Sequence, residues 1–209
     1  RPRPGGPTGP RGRSAGVMVL LTLLALVVGY GIRHQTWRQT TDIRFEADIR
    51  NAHYWGNRAL DEGFVGLYDR ALEEGRNELG YRFDYAPGRL LVATSWSTYL
   101  RWRFPDQDEW VNSYAHTWPM LWLNMLAQLA AAVGVFVLGL KLARGWSGGP
   151  AFTAPSAWWA AWAGAMLLWF NPAVIFNGHV WPQWDVWLVP FYVWAIVAGL
   201  SGRWAWAGA

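Results

Sequence analysis

Asp48 and Trp55 stand seven residues apart in Asp42-Ile-Arg-Phe-Glu-Ala-Asp48-Ile-Arg-Asn-Ala-His-Tyr-Trp55, a stretch with an amphipathic helical pattern. At about 3.6 residues per turn, Asp48, Ala52 and Trp55 share a face, so only a methyl separates the carboxylate from the indole. A carboxylate beside a flat apolar ring suits a sugar: the acid takes a hydroxyl proton while the indole covers the C–H face of the ring. The same spacing also describes an interfacial helix whose Trp marks the membrane surface and whose Asp is merely solvated.

Two further segments carry candidate chemistry. Tyr81-Arg-Phe-Asp84-Tyr85-Ala-Pro87-Gly-Arg89 sets an acid, an aromatic ring and a cation around a Pro-Gly break, which predicts a turn leading into the apolar stretch 90–100. A well-made loop-to-helix junction would use the same residues. In the third segment, Asn171-Pro-Ala-Val-Ile-Phe-Asn-Gly-His179-Val-Trp-Pro-Gln183-Trp-Asp185, the final residue is the only one of the 14 acids outside 42–109. A carboxylate near a membrane core costs about 2.5–3.5 kcal/mol on insertion scales, so it has a partner or a task. Here it either caps the following helix or hydrogen-bonds a substrate.

These residues need membrane elements to position them. Hydrophobic residues make up 53% of the chain, charged residues only 15%, and there are 18 Trp, a composition outside the range of ordinary soluble domains. Uncharged runs of spanning length recur and predict an all-α, polytopic membrane protein with about four transmembrane helices: 14–33, 117–142, 156–176 and 186–202. Residues 1–13, rich in Pro, Gly and Arg, form a disordered tail in this scheme. Segment 34–116 is a large outer loop with short amphipathic helices, 143–155 an inner loop, and 177–185 an outer loop carrying the third motif. The stretch 90–104 is too short to span and is expected to be a surface or partly buried helix.

Arg1, Arg3, Arg11 and Arg13 precede the first run, Lys141 and Arg144 join the second to the third, and Arg203 follows the fourth, with no acid in any of these pieces. The positive-inside rule makes them cytoplasmic and places both motif-bearing loops on the outer side. The pI near 9.7 therefore points to anionic lipid headgroups as partners and not to nucleic acid. The absence of Cys excludes disulfides, thiol catalysis and thiolate metal sites. The chain begins at Arg1 and closes on an apolar segment, Trp204 to Ala209, so a fragment of a longer protein is expected.

Taken in order, the three motifs resemble the GT-C superfamily of integral membrane glycosyltransferases, most nearly the dolichyl-phosphate-glucose glucosyltransferases. Those enzymes carry an Asp followed seven residues later by Trp in the first luminal loop, the interval of Asp48 and Trp55. Their Leu-Asp-Tyr-Pro-Pro-Leu is similar to Phe83-Asp84-Tyr85-Ala86-Pro87-Gly88, with Ala86 and Gly88 as departures. Their Pro-to-His-Phe-Gln-Tyr-Asn segment is similar to Pro172 through His179 to Pro182-Gln183-Trp184-Asp185, with Asp185 in place of Asn and Trp181 in place of a polar residue. The likeness covers roughly residues 15–200, the N-terminal part of such an enzyme.

The resemblance implies a polyprenyl-phosphate sugar as donor, a glycan, lipid or protein as acceptor, and inversion at the anomeric carbon. It makes Asp48 the catalytic base. Trp55, Asp84, Tyr85, Arg89, His179, Gln183 and Asp185 become substrate-binding residues, with Arg89 and His179 as candidates for the phosphate. No cofactor is implied; a divalent metal would need several converging oxygens, which the spacing of Asp84, His179 and Asp185 does not supply. The expected location is the bacterial inner membrane, N-terminus cytoplasmic and site extracytoplasmic. Two other classes use similar materials. A lipid-linked sugar transporter would favour charges at the bundle midplane and paired broken helices. A non-catalytic membrane subunit would use Trp as interface belts.

Overall fold

The computed structural model describes residues 12–73, 86–107, 109–146 and 155–208. Among them every regular element is helical: α1 (Gly12–Gln39), α2 (Ala47–Glu62), α3 (Phe64–Glu73), α4 (Pro87–Arg103), α5 (Tyr114–Trp146), α6 (Pro155–Trp169), α7 (Pro172–His179), a 3-10 turn (Trp184–Trp187), α8 (Leu188–Gly199) and α9 (Trp204–Ala207). Two of these helices, α1 and α5, are long and apolar enough to cross a membrane. A third crossing is obtained if α6 and α7 count as one bent span.

The chain divides into two compact units: Arg1–Arg44 with Asn124–Trp181 and Asp185–Ala209, and Phe45–Leu123 with Pro182–Trp184. In the first unit, α6 runs alongside α1 in the same direction. Trp162 donates to Thr22 across 2.9 Å, and further along both helices Trp169 donates to the Ala25 carbonyl across 3.0 Å. Helix α5 runs the other way: its Gly139 meets Ala161 and its Val135 meets Gly164. The starts of α1 and α6 and the end of α5 therefore share one end of the unit. Its core gathers Ala132, Ala165 and Trp169, with Leu26, Leu129 and Phe136 packed around them.

The apolar run expected at 156–176 breaks after Trp169. Asn171 caps α7, its side-chain oxygen accepting from the Ala173 N–H at 2.9 Å, and Pro172 opens the helix. The two pieces meet at 42°. The run expected at 186–202 forms a shorter apolar helix, Trp184–Gly199, made of the 3-10 turn and α8 together, about 26 Å long against ~30 Å of hydrocarbon. The chain turns out of it through Gly202, whose φ of 69° is a left-handed conformation that glycine adopts without strain. The first two spans are instead longer than the uncharged runs, since neither Arg33 nor Lys141 breaks a helix.

In the second unit, α2 lies against α4 with small residues between them. A Cβ on Gly56 would strike the Ala93 carbonyl and the Ser97 hydroxyl. Leu90, Ala93, Trp96, Ser97 and Leu100 form the buried stripe of α4, the i, i+3, i+4, i+7 pattern of a helix packed on one face. An aromatic group closes this core: His53 faces Trp96 and Trp110 at 6.0 and 5.6 Å between ring centroids, Trp96 donates to the His116 carbonyl at 3.0 Å, and Phe104 stacks on His116 at 4.1 Å.

Candidate functional site

Helices α2 and α4 are parallel, and this fixes where their chemistry-bearing first turns lie. Ser97 donates to the His53 carbonyl and Arg101 donates to Asn57, both partners being 44 residues apart. Advancing one turn along α2 thus advances one turn along α4. The two N-termini open at the same end of the pair, with Asp48 in the first turn of α2 and Arg89 in the first turn of α4. Both side chains are half-buried.

The start of α4 has Pro87 in its first turn, no acidic residue there and no side-chain cap. Its first helical bond runs from the Leu90 N–H to the Ala86 carbonyl at 3.0 Å. The positive end of α4 and the Arg89 guanidinium favour an anion there, whereas Asp48 already offsets the dipole of α2. The Arg89 guanidinium carbon lies 4.9 Å from the centre of the Trp184 ring, which brings the second and third sequence motifs into contact. Trp184 is buried, and Gln183 beside it is half-buried.

At the opposite end of the pair Arg101 forks onto Asp61 at 2.8 and 2.9 Å, and this bond holds the Asp61 carboxyl below its ordinary range. That contact is exposed and structural. His53, packed in the aromatic core, is pushed down to about 4, first by burial and then by the nearby His116 and Arg101. Asn57 lies 3.1 Å from its Nε2, an amide donor to a neutral ring.

Trp55 does share a face with Ala52, but both are buried, at 2% and 0% exposure. That face is the packed side of α2, and the indole offers no open ring to a ligand. Its visible neighbours are Tyr54, edge-on at 5.0 Å, and the Arg58 guanidinium at 5.5 Å. Asp84 and Tyr85 fall outside the described residues.

The remaining candidates, His179 and Asp185, belong to the first unit. His179 ends α7 at 3% exposure. Asp185 is exposed and lies in the 3-10 turn, not at the cap of α8; that position is Trp187, and no side chain caps it. Asp185 instead borders a cavity of about 170 Å³ with Gln128, Val174 and Asn177 among its walls. Among the described residues no three His, Asp or Glu side chains converge to hold a metal ion.

The sequence reading missed the polar network behind that cavity. Arg33, 1% exposed, donates to Gln128 Oε1 at 2.8 Å, to the Gly29 carbonyl at 3.0 Å and to the Trp169 carbonyl at 2.8 Å. Gln128 passes the chain on to the Val174 carbonyl at 2.8 Å. One turn away, Asn124 donates to the Gly178 carbonyl at 2.9 Å and accepts from the Trp187 indole at 2.7 Å. Backbone carbonyls around the α6–α7 break thereby find donors inside an apolar bundle. Two amides one turn apart in an otherwise apolar span were the available signal. No protein-family model, curated protein or solved structure matches the chain.

Proposed function

We propose that this chain belongs to a GT-C-type membrane glycosyltransferase that moves a sugar from a polyprenyl-phosphate donor to an acceptor hydroxyl, with inversion. The observation that carries the proposal is the placement of Asp48 and Arg89 in the first turns of two parallel helices, with Trp184 against Arg89. One residue from each of the three motifs thus falls within a single compact unit.

In this reading Asp48 accepts the proton of the acceptor hydroxyl as its oxygen bonds to the anomeric carbon. The bond from that carbon to the phosphate oxygen breaks, and polyprenyl phosphate departs as an anion. Its charge is met by Arg89 and the positive end of α4. Phosphate leaves without an added proton, so one positioned base carries the proton chemistry. Gln183 serves as a hydrogen-bonding contact in the same unit; Asp185 is kept as a hydrogen-bonding group of the first unit's cavity. Trp55, being buried, shapes the α2 face that carries Asp48 instead of touching the sugar. The site faces the extracytoplasmic side of a bacterial inner membrane, with the starts of α1 and α6 cytoplasmic.

The test uses membranes containing the protein, supplied with radiolabelled polyprenyl-phosphate sugars, following label in the acceptor and release of polyprenyl phosphate. Asp48→Asn is expected to lower turnover by about 10²–10⁴-fold, the range of general-base catalysis. Undiminished turnover in that variant overturns the assignment of the base. A wild-type protein inert toward every polyprenyl-phosphate sugar overturns the class.

A further inference from the structure

Helix α4 carries charge only at its two ends, with Arg89 in the first turn and Arg101 and Arg103 in the last. No residue from Leu90 to Leu100 is charged. One side of this stretch is the buried stripe that meets α2. The other side is open: Leu91 and Trp102 are 59% and 76% exposed, Ser95 and Thr98 are exposed between them, and Val92 and Tyr99 flank them half-buried. At helical spacing these residues share one face. A helix uncharged on every side is ordinarily covered on every side, by protein or by lipid.

The hydroxyls of this helix need no water. Thr94 donates to the Leu90 carbonyl, Ser95 to that of Leu91 and Thr98 to that of Thr94, each at 2.8 Å. A hydroxyl bonded back to its own helix presents no unmet donor to hydrocarbon. Helix α2 differs in kind: its exposed positions are Arg50, Tyr54 and Asp61, two of them charged. The packed pair is thus uncharged along the open face of α4 and charged along the open positions of α2.

Tyr99 fixes what covers the open face. Its ring meets Trp118 edge-on at 6.1 Å and lies 6.2 Å from the Trp102 ring. Trp118 stands in the second turn of α5, whose Tyr114–Ala143 stretch of 30 residues is long and apolar enough to cross a membrane. At 1.5 Å per residue that is about 45 Å, the hydrocarbon with both headgroup layers, so the start of α5 lies at headgroup level, where Trp is enriched. Tyr99 and Trp102 are held at that boundary. We infer that α4 is a membrane-surface helix, with its Leu91 to Trp102 face seated in the lipid boundary and its terminal arginines at headgroup level. Helix α2, packed on the other side of α4, faces water. The inference rests on α5 as a crossing and requires nothing of the transferase reading.

The chain has no Cys, so single nitroxide labels can be attached through Leu91→Cys, Ser95→Cys and Thr98→Cys on the open face and through Arg50→Cys on α2. All four positions are exposed, and an unfolding temperature equal to that of the unlabelled protein shows that the fold tolerates each label. The full chain is reconstituted into phospholipid vesicles, and the relaxation of each label is measured with oxygen, which concentrates in lipid, and with a water-soluble nickel chelate. At the three α4 positions oxygen is expected to relax the label more than nickel does, and at Arg50→Cys the order reverses. Nickel outweighing oxygen along the α4 face would show it bathed in water and overturn the inference. Shielding of that face from both reagents would show that a protein surface, such as a second copy of this chain, covers it, which overturns the inference equally. So would oxygen outweighing nickel at Arg50→Cys, since the pair would then have no aqueous side.

Discussion

Arg33 and Gln128 meet at 2.8 Å inside the apolar bundle, and the same guanidinium holds the carbonyl of Trp169 where α6 ends. A buried cation in such a place is tolerated because backbone and amide oxygens surround it. Arg33→Ala leaves those oxygens without donors, at a cost of about 2–4 kcal/mol for a set of charge-assisted bonds. Arg33→Lys recovers less than half of that, since an ammonium lacks the planar fork that reaches separate acceptors. Unfolding in detergent measures the cost. Hydrogen exchange at Phe170 and Asn171 shows whether the break has loosened; unchanged exchange in Arg33→Ala would show that the network does not hold it.

Gly56 sets the distance between α2 and α4. Alanine there must displace the Ala93 backbone, so Gly56→Ala is expected to destabilise by about 1–3 kcal/mol through overpacking. Gly66 in α3 has open space around its would-be Cβ, and Gly66→Ala is expected to be neutral or up to about 1 kcal/mol stabilising. Thermal unfolding of both variants makes the comparison. Equal losses would remove close approach as the reason for Gly56.

His53 gives the second unit an acid sensitivity. Its folded value of about 4 lies below the ordinary 6.5, so between those values the unfolded chain binds the proton more readily. Stability from this group is complete above pH 6.5 and declines as pH falls toward 4. His53→Gln keeps an acceptor for Asn57 without titrating, and should flatten the decline. Denaturation between pH 7 and 5, before carboxylates dominate, isolates the effect; an unchanged slope would assign it elsewhere.

Asp185 borders the small cavity beside the Gln128 and Asn177 amides. The enzymes that the motifs resemble carry Asn at this place, and Asn keeps a hydrogen-bonding oxygen. On the proposed function, Asp185→Asn is therefore expected to retain sugar transfer within about threefold, while Asp185→Leu, unable to accept a hydrogen bond, loses about tenfold, near 1.4 kcal/mol. Transfer assays on the two variants separate hydrogen bonding from charge. Loss in the Asn variant would make the carboxylate itself necessary.

The helical class and the two long spans were legible because uncharged runs of bilayer length have few other uses. The third span was legible only as a run: Asn171 and Pro172 were visible in the sequence, but their cap is what turns one expected helix into two. Helix α8 shows the limit of apolar length as a guide, since its run continues past the Gly199 end into a turn. Periodicity correctly grouped Ala52 with Trp55. It could not say that this face is buried, at 0% and 2% exposure, because a packed stripe and a ligand platform have the same period. Arg33 is the last residue of the predicted first span, 14–33, where a cation is an ordinary end to an apolar run. Its burial depends on oxygens from α5 and α6 that no local pattern connects to it.

Arg89 and Trp184 offer the most direct functional test of the proposed phosphate end. A cation in the first turn of a helix opposes the helix dipole, so its position there calls for compensation. The Trp184 ring supplies part of it as a cation–π contact at 4.9 Å. On the proposed function, in which an anionic donor binds at this end, Arg89→Ala should raise the KM for polyprenyl-phosphate sugar and lower kcat/KM by about 10–100-fold, the value of one or two charge-assisted hydrogen bonds. Arg89→Lys should restore part of that loss, because phosphate accepts a point charge. Trp184→Leu, which leaves the guanidinium but removes its platform, should weaken donor binding by about fivefold, near 1 kcal/mol. A purely structural Arg89 predicts something different: lower stability in all three variants, with KM for the remaining folded protein unchanged. Donor titration and thermal unfolding on the same preparations distinguish the two, and an unaltered KM would remove Arg89 from the phosphate site.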